Sequence, residues 1–85
     1  SPQARSSAEA WAGRLRGLAA GDAIRRAYAE AFGRAVDEEE LRSAQEFLEQ
    51  QTQAHREVSG DQAAELALAD LCQMLLSMNE FIYVD

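Results

Sequence analysis

Lysine is absent from this 85-residue chain, and its eight basic residues are all arginines set against fifteen acidic ones. The net charge of −7 creates a field that repels phosphate backbones and anionic bilayer surfaces, so nucleic acid is not an expected partner. The only cysteine is Cys72, which excludes an internal disulfide and a CxxCH haem attachment and leaves the redox compartment undecided. No run of about 18 apolar residues occurs, which excludes a helical membrane span. GxSxG, HExxH and a phosphate-cradling glycine-rich loop are also missing, and the single histidine lies far in sequence from the single cysteine. Nothing here speaks for catalysis by this stretch alone, and no cofactor is expected.

What remains is 47% apolar and 27% charged, the balance of a globular chain rather than a disordered one. At this length a single small domain is expected, burying only about 60% of the surface its unfolded form exposes. Abundant alanine and arginine, both strong helix formers, point to an all-α fold. The opening Ser1-Pro2, with no initiator methionine and no targeting segment, reads as the start of a fragment of a longer protein.

Four helices are expected. Ser6 and Glu9 have the form of a capping box, and Ala8, Trp11, Ala12 and Leu15 follow helical spacing, which predicts a first helix over residues 7–19. Gly21 reads as the break and Asp22 as the cap of a second helix over 22–32, unless the two are one bent helix. Gly33 sits where a C-terminal cap belongs, and Asp37 with Glu40 forms another capping box for a third helix over 37–55. The later half of that helix is polar almost all round, as if it projects into water or against a missing neighbour. The fourth helix, 61–78, carries Ala64, Ala67, Leu68, Leu71, Cys72, Leu75 and Met78 on one stripe, with Asn79 as its stop. Phe81-Ile82-Tyr83-Val84 is aromatic and β-branched, so residues 80–85 are expected to form a short extended tail. The architecture predicted is a small up-and-down bundle of three to four helices with that tail packed back.

The side chains that carry chemistry mostly have structural readings. The acid run Asp37 to Glu40 is a helix N-terminus rather than a calcium loop, which needs alternating oxygens and a glycine bend. His55, Cys72, Met74 and Met78 lack metal-motif spacing; Cys72 and Met78 read as core filler and His55 as a surface residue. Arg25, Arg26 and Arg34 form a small basic patch, with Glu30 in helical reach of Arg26 and Arg34. Trp11, Tyr28, Phe32, Phe47, Phe81 and Tyr83 are expected in the core, because so small a domain needs its aromatics to hold it together.

The closing stretch, ALADLCQMLLSMNEFIYVD, resembles the C-terminal signature "LCxxLLNxNEFLYVD" of a family of unknown function found in planctomycete-specific, cytochrome-c-associated multidomain proteins. The segment IRRAYAEAFGRAVDEEEL is similar to that family's "LYxxxLGRxPTxxEL", matching at Tyr28, Gly33, Arg34, Glu40 and Leu41. The family's Pro-Thr is Val36-Asp37 here, and an Asn of the closing motif is Ser77. The resemblance implies a C-terminal piece of a larger exported protein, at the cell envelope or in a periplasm-like compartment, with any haem in a separate upstream domain. It singles out Asn79, Glu80, Phe81, Tyr83 and Asp85 as structural or interaction residues and implies no catalytic ones. The function expected is a non-catalytic docking or structural module that packs on upstream domains or a partner protein, and self-associates when isolated. Two alternatives stand beside it: Glu80, Tyr83 or Asp85 completing the active site of an upstream domain, or an acidic face docking a basic cytochrome for electron transfer.

Overall fold

A computed structural model describes residues 2–82, with side-chain contacts through Asn79. The fold is all-α. Helix α1 spans Pro2–Leu15, α2 Ala20–Phe32, α3 Glu38–Ser59 and α4 Ala63–Ile82, with a single 3-10 turn, Gly60–Gln62, between the last two.

Helix α4 is the centre of the bundle and packs most extensively on α3 and α1. Its Ala67, Leu71 and Leu75 recur every fourth residue and are fully buried, and Ala69 and Cys72 widen the stripe. From α1 come Ala8, Trp11, Ala12 and Leu15, and from α2 Ala23, Ile24, Ala27 and Tyr28. Helix α3 contributes one fully inward residue, Ala44, flanked by half-buried Leu41, Phe47 and Leu48. Met78, expected on the α4 stripe, is instead 41% exposed, because the stripe narrows to Leu75 and Leu76 as the bundle ends.

Several boundaries differ from the expected ones. Helix α1 begins at Pro2, a residue preorganised for the first helical position, so Ser6 lies inside the helix and caps nothing. It ends at Leu15 rather than residue 19, because Gly17 (φ 92°), not Gly21, takes the left-handed turn. Gly21 lies within α2, whose N-cap position is Ala19 with no side-chain cap; Asp22 sits in the first turn and pairs with Arg25 at 3.2 Å. Gly33 (φ 66°) closes α2 as expected, donating its N–H to the Ala29 carbonyl at 2.9 Å.

The capping box at the start of α3 is fully formed. Glu40 N donates to Asp37 Oδ1 at 2.7 Å, and Asp37 N donates to Glu40 Oε1 at 3.1 Å. Helix α3 then runs to Ser59, four residues beyond His55, and its polar half does not project freely: Gln51, Thr52 and His55 are half-buried on the face that begins with Ala44 and Leu48. Helix α4 continues through Asn79, with no left-handed residue there, and Glu80, Phe81 and Ile82 complete its last turn rather than starting an extended segment. The rest of the expected tail, residues 83–85, lies outside the described residues. No helix among those described is long and apolar enough to cross a membrane.

Candidate functional site

A carboxylate in the apolar sequence Leu68-Ala69-Asp70-Leu71 must find partners or pay the desolvation of a buried charge. Asp70 finds three. Its Oδ1 accepts from Arg5 Nη1 of α1 at 2.8 Å, and its Oδ2 accepts from Gln51 Nε2 at 2.9 Å and His55 Nε2 at 2.7 Å, both on α3. Facing a carboxylate, His55 carries its proton on Nε2. Arg5 also donates to Gln73 Oε1 at 3.2 Å and pairs with Glu9 at 3.4 Å. Burial alone raises the Asp70 carboxyl, but the hydrogen bonds from Gln51, His55 and Arg5 outweigh it and hold it below the usual carboxylate range. His55 is therefore not a free surface residue but part of a brace that ties α1, α3 and α4 together.

A second set of contacts joins the other ends of the helices. Trp11 Nε1 donates to Glu30 Oε1 at 2.6 Å, linking α1 to α2. The Asn79 side-chain amide donates to the Ala31 carbonyl, one of the acceptors that the end of α2 leaves without a helical partner. Of the residues singled out in the closing motif, Asn79 thus caps a neighbouring helix. Glu80 and Phe81 lie in the last turn of α4 with side chains outside the description, and Tyr83 and Asp85 lie outside the described residues.

The basic patch dissolves into local pairs. Arg25 meets Asp22, Arg26 meets Glu30 at 3.7 Å, and Arg34 turns from Glu30 to form a two-pronged contact with Glu40, each prong 2.8 Å. The Arg34 guanidinium also lies 5.5 Å from the Phe32 ring centre and 6.0 Å from that of Tyr28, and so shields an aromatic pair in tilted contact. The Arg34 contact, with the backbone N–H of Asp37, holds the Glu40 carboxyl down to about 2. The stabilisation this represents is present above about pH 4.5 and lost as the pH falls toward 2. Glu40→Gln keeps the cap but removes the charge; because the pair is partly solvated, we expect a loss of about 0.5–1 kcal/mol at pH 7 that disappears near pH 2. Denaturant melts at both pH values check this, and an equal difference at both would show that the charge is irrelevant.

Cys72 is fully buried and its thiol is pushed up to about 12 by that burial, so it is packing and not a nucleophile at neutral pH. Cys72 is buried, whereas Met74 and Met78 are exposed, and His55 is engaged by Asp70. No group of three or more His, Cys, Asp or Glu among the described residues is arranged to hold a metal ion.

One feature of the described surface is not closed by such contacts. Where α1 ends and α4 begins, a groove of about 620 Å³ opens, with walls supplied by Leu15, Leu18, Leu48, Leu66 and Leu68. Leu18 is 40% exposed on its lip. Arg16 Nη1 and Glu65 Oε1, 2.7 Å apart, pair at the rim. A smaller hollow of about 460 Å³ lies between Trp11, Arg14, Glu30, Leu76 and Asn79. The groove was not legible in the sequence: the first-helix reading carries on through Leu18 to residue 19, whereas the turn at Gly17 sets Leu18 on its lip. Comparisons with known protein families, with curated proteins and with solved structures gave no match.

Proposed function

We propose that this chain is a non-catalytic helical docking module, and that it serves as the C-terminal structural piece of a larger exported multidomain protein of the kind its closing motif resembles. The observation that carries the docking part is the leucine-lined groove beside the α1–α2 turn, an apolar hollow with a polar rim in a molecule whose other described clusters are satisfied internally. Asp70 and His55 are committed to bracing helices. The resemblance supports the larger setting and the envelope location, with any haem in a separate upstream domain.

The accessibility of the groove is tested with Nile red, an uncharged apolar dye. Saturable one-to-one binding is expected, weakened at least tenfold by Leu18→Glu and unaffected by Met78→Glu, with the far-ultraviolet circular dichroism of both variants unchanged. A chain that binds no dye, or binds it equally well as Leu18→Glu, does not have a usable groove and the docking reading falls.

A further inference from the structure

We propose that α1 is exchanged between two copies of this chain: the turn at Gly17 straightens, α1 and α2 join into one helix, and α1 seats on α4 and α2 of the second copy. This goes beyond the docking reading and does not depend on the groove.

The partners of α1 permit the exchange. Arg5 meets Asp70 at 2.8 Å and Gln73 at 3.2 Å, Arg16 meets Glu65 at 2.7 Å, and Trp11 reaches Glu30 at 2.6 Å. Ala8, Trp11, Ala12 and Leu15 add the apolar seat in the core. None of the polar partners lies in the turn between α1 and α2. A second copy presents the same groups in the same places, so an exchanged α1 remakes these contacts and the two forms differ mainly at the hinge.

The hinge itself is weakly committed to turning. Gly33, at the end of α2, is followed by the Asp37–Glu40 capping box and the Arg34–Glu40 pair, which fix that break. Between α1 and α2 stand Arg16, Leu18 and Ala19, of which arginine, leucine and alanine are all good helix formers, with Gly17 (φ 92°) as the left-handed residue. Ala19, at the N-cap position of α2, supplies no side-chain cap. The turn is held by two long bonds, Arg16 N to the Gly13 carbonyl at 3.4 Å and Leu18 N to the Leu15 carbonyl at 3.3 Å. Straightening replaces them with the ordinary bonds of a helix, each to the carbonyl four residues back. Residues 16–20 are all exposed, and a Cβ added at Gly17 would meet nothing within 4 Å, so the bundle does not hold the hinge bent. Two chains of net charge −7 repel each other, so the exchanged form is favoured by high concentration and by salt.

For the test, the chain is unfolded in guanidinium and refolded in about 500 mM salt, at about 10 μM and at about 1 mM, then sized by chromatography with light scattering. A dimer is expected at the higher concentration. Gly17→Ala should dimerise at a concentration at least tenfold lower, because alanine is strained at φ 92° and favoured in a helix. Ala19→Pro should stay monomeric with unchanged circular dichroism: Ala19 has φ −58° in the turn, which proline matches, whereas proline inside a continuous helix breaks it. Arg16→Lys distinguishes exchange from surface contact, since it places the only side-chain amine of the chain beside Glu65. A zero-length carbodiimide should join residues 16 and 65 within one chain in the monomer and between chains in the dimer, as read on a denaturing gel. A dimer that separates on that gel into internally linked chains overturns the exchange. So does a dimer that Ala19→Pro leaves intact, or a parent and Gly17→Ala variant that both remain monomeric at the higher concentration.

Discussion

Asp70→Ala is expected to lower the free energy of unfolding by about 2–4 kcal/mol at pH 7, because it removes the one acceptor shared by Arg5, Gln51 and His55. The side chain is only 18% exposed, so its partners are not simply handed to water. Arg5 keeps Glu9 and Gln73, which holds the loss below that of a fully stranded buried charge. A chain of this length has roughly 4–13 kcal/mol of stability in total, so the variant should be marginal in mild denaturant. The sign of the pH dependence follows from the depressed carboxyl: its stabilisation is present above the ordinary aspartate range, near pH 4, and disappears as the pH falls through the lowered value. The variant and the parent should therefore converge in acid. A double-mutant cycle with His55→Ala should give a coupling of about 0.5–3 kcal/mol. Additive losses would mean that the 2.7 Å contact is a surface coincidence.

Trp11→Ala should be the more damaging change, at about 3–5 kcal/mol, the usual range for truncating a buried aromatic. Trp11 is 6% exposed and stands in the core with Ala8, Ala12 and Leu15, while its indole N–H reaches Glu30 on α2. The contact between α1 and α2 is otherwise slight, so this side chain does much of the joining. Trp11→Phe separates the two contributions: it keeps most of the apolar volume and loses the donor, and should cost about 1–2 kcal/mol. Equilibrium denaturation of both variants measures this. A phenylalanine variant as unstable as the alanine one would assign the effect to the hydrogen bond rather than to packing.

The legible part of the fold is the part governed by local rules. The stripe Ala8, Trp11, Ala12, Leu15 and the stripe Ile24, Ala27, Tyr28 both face inward as their spacing predicts. The Asp37–Glu40 box forms because both partners lie within one helical turn. The illegible part is non-local. Asp70 is separated from Arg5 by 65 residues and from His55 by 15, so no window of sequence contains the brace. A usable signal was present all the same: an acidic residue in the middle of the most apolar helix has to be paired. Local chemistry also failed between two plausible glycines, since Gly17 and Gly21 both suit a break and only the docking of Ala23 and Ile24 on the core selects the earlier one.

By itself the sequence determined that the chain is a small, acidic, all-α molecule whose most apolar helix, now α4, must be covered, because helix propensity, periodicity and net charge depend only on residue identity and spacing. Only the tertiary structure decided what covers it, that the polar half of α3 is its clasp, and that Asn79 serves α2 rather than ending its own helix. The groove belongs to the same class. It is a space between the four helices and the 3-10 turn, created by where α1 stops, and a space of that kind exists only once the helices have been set against one another.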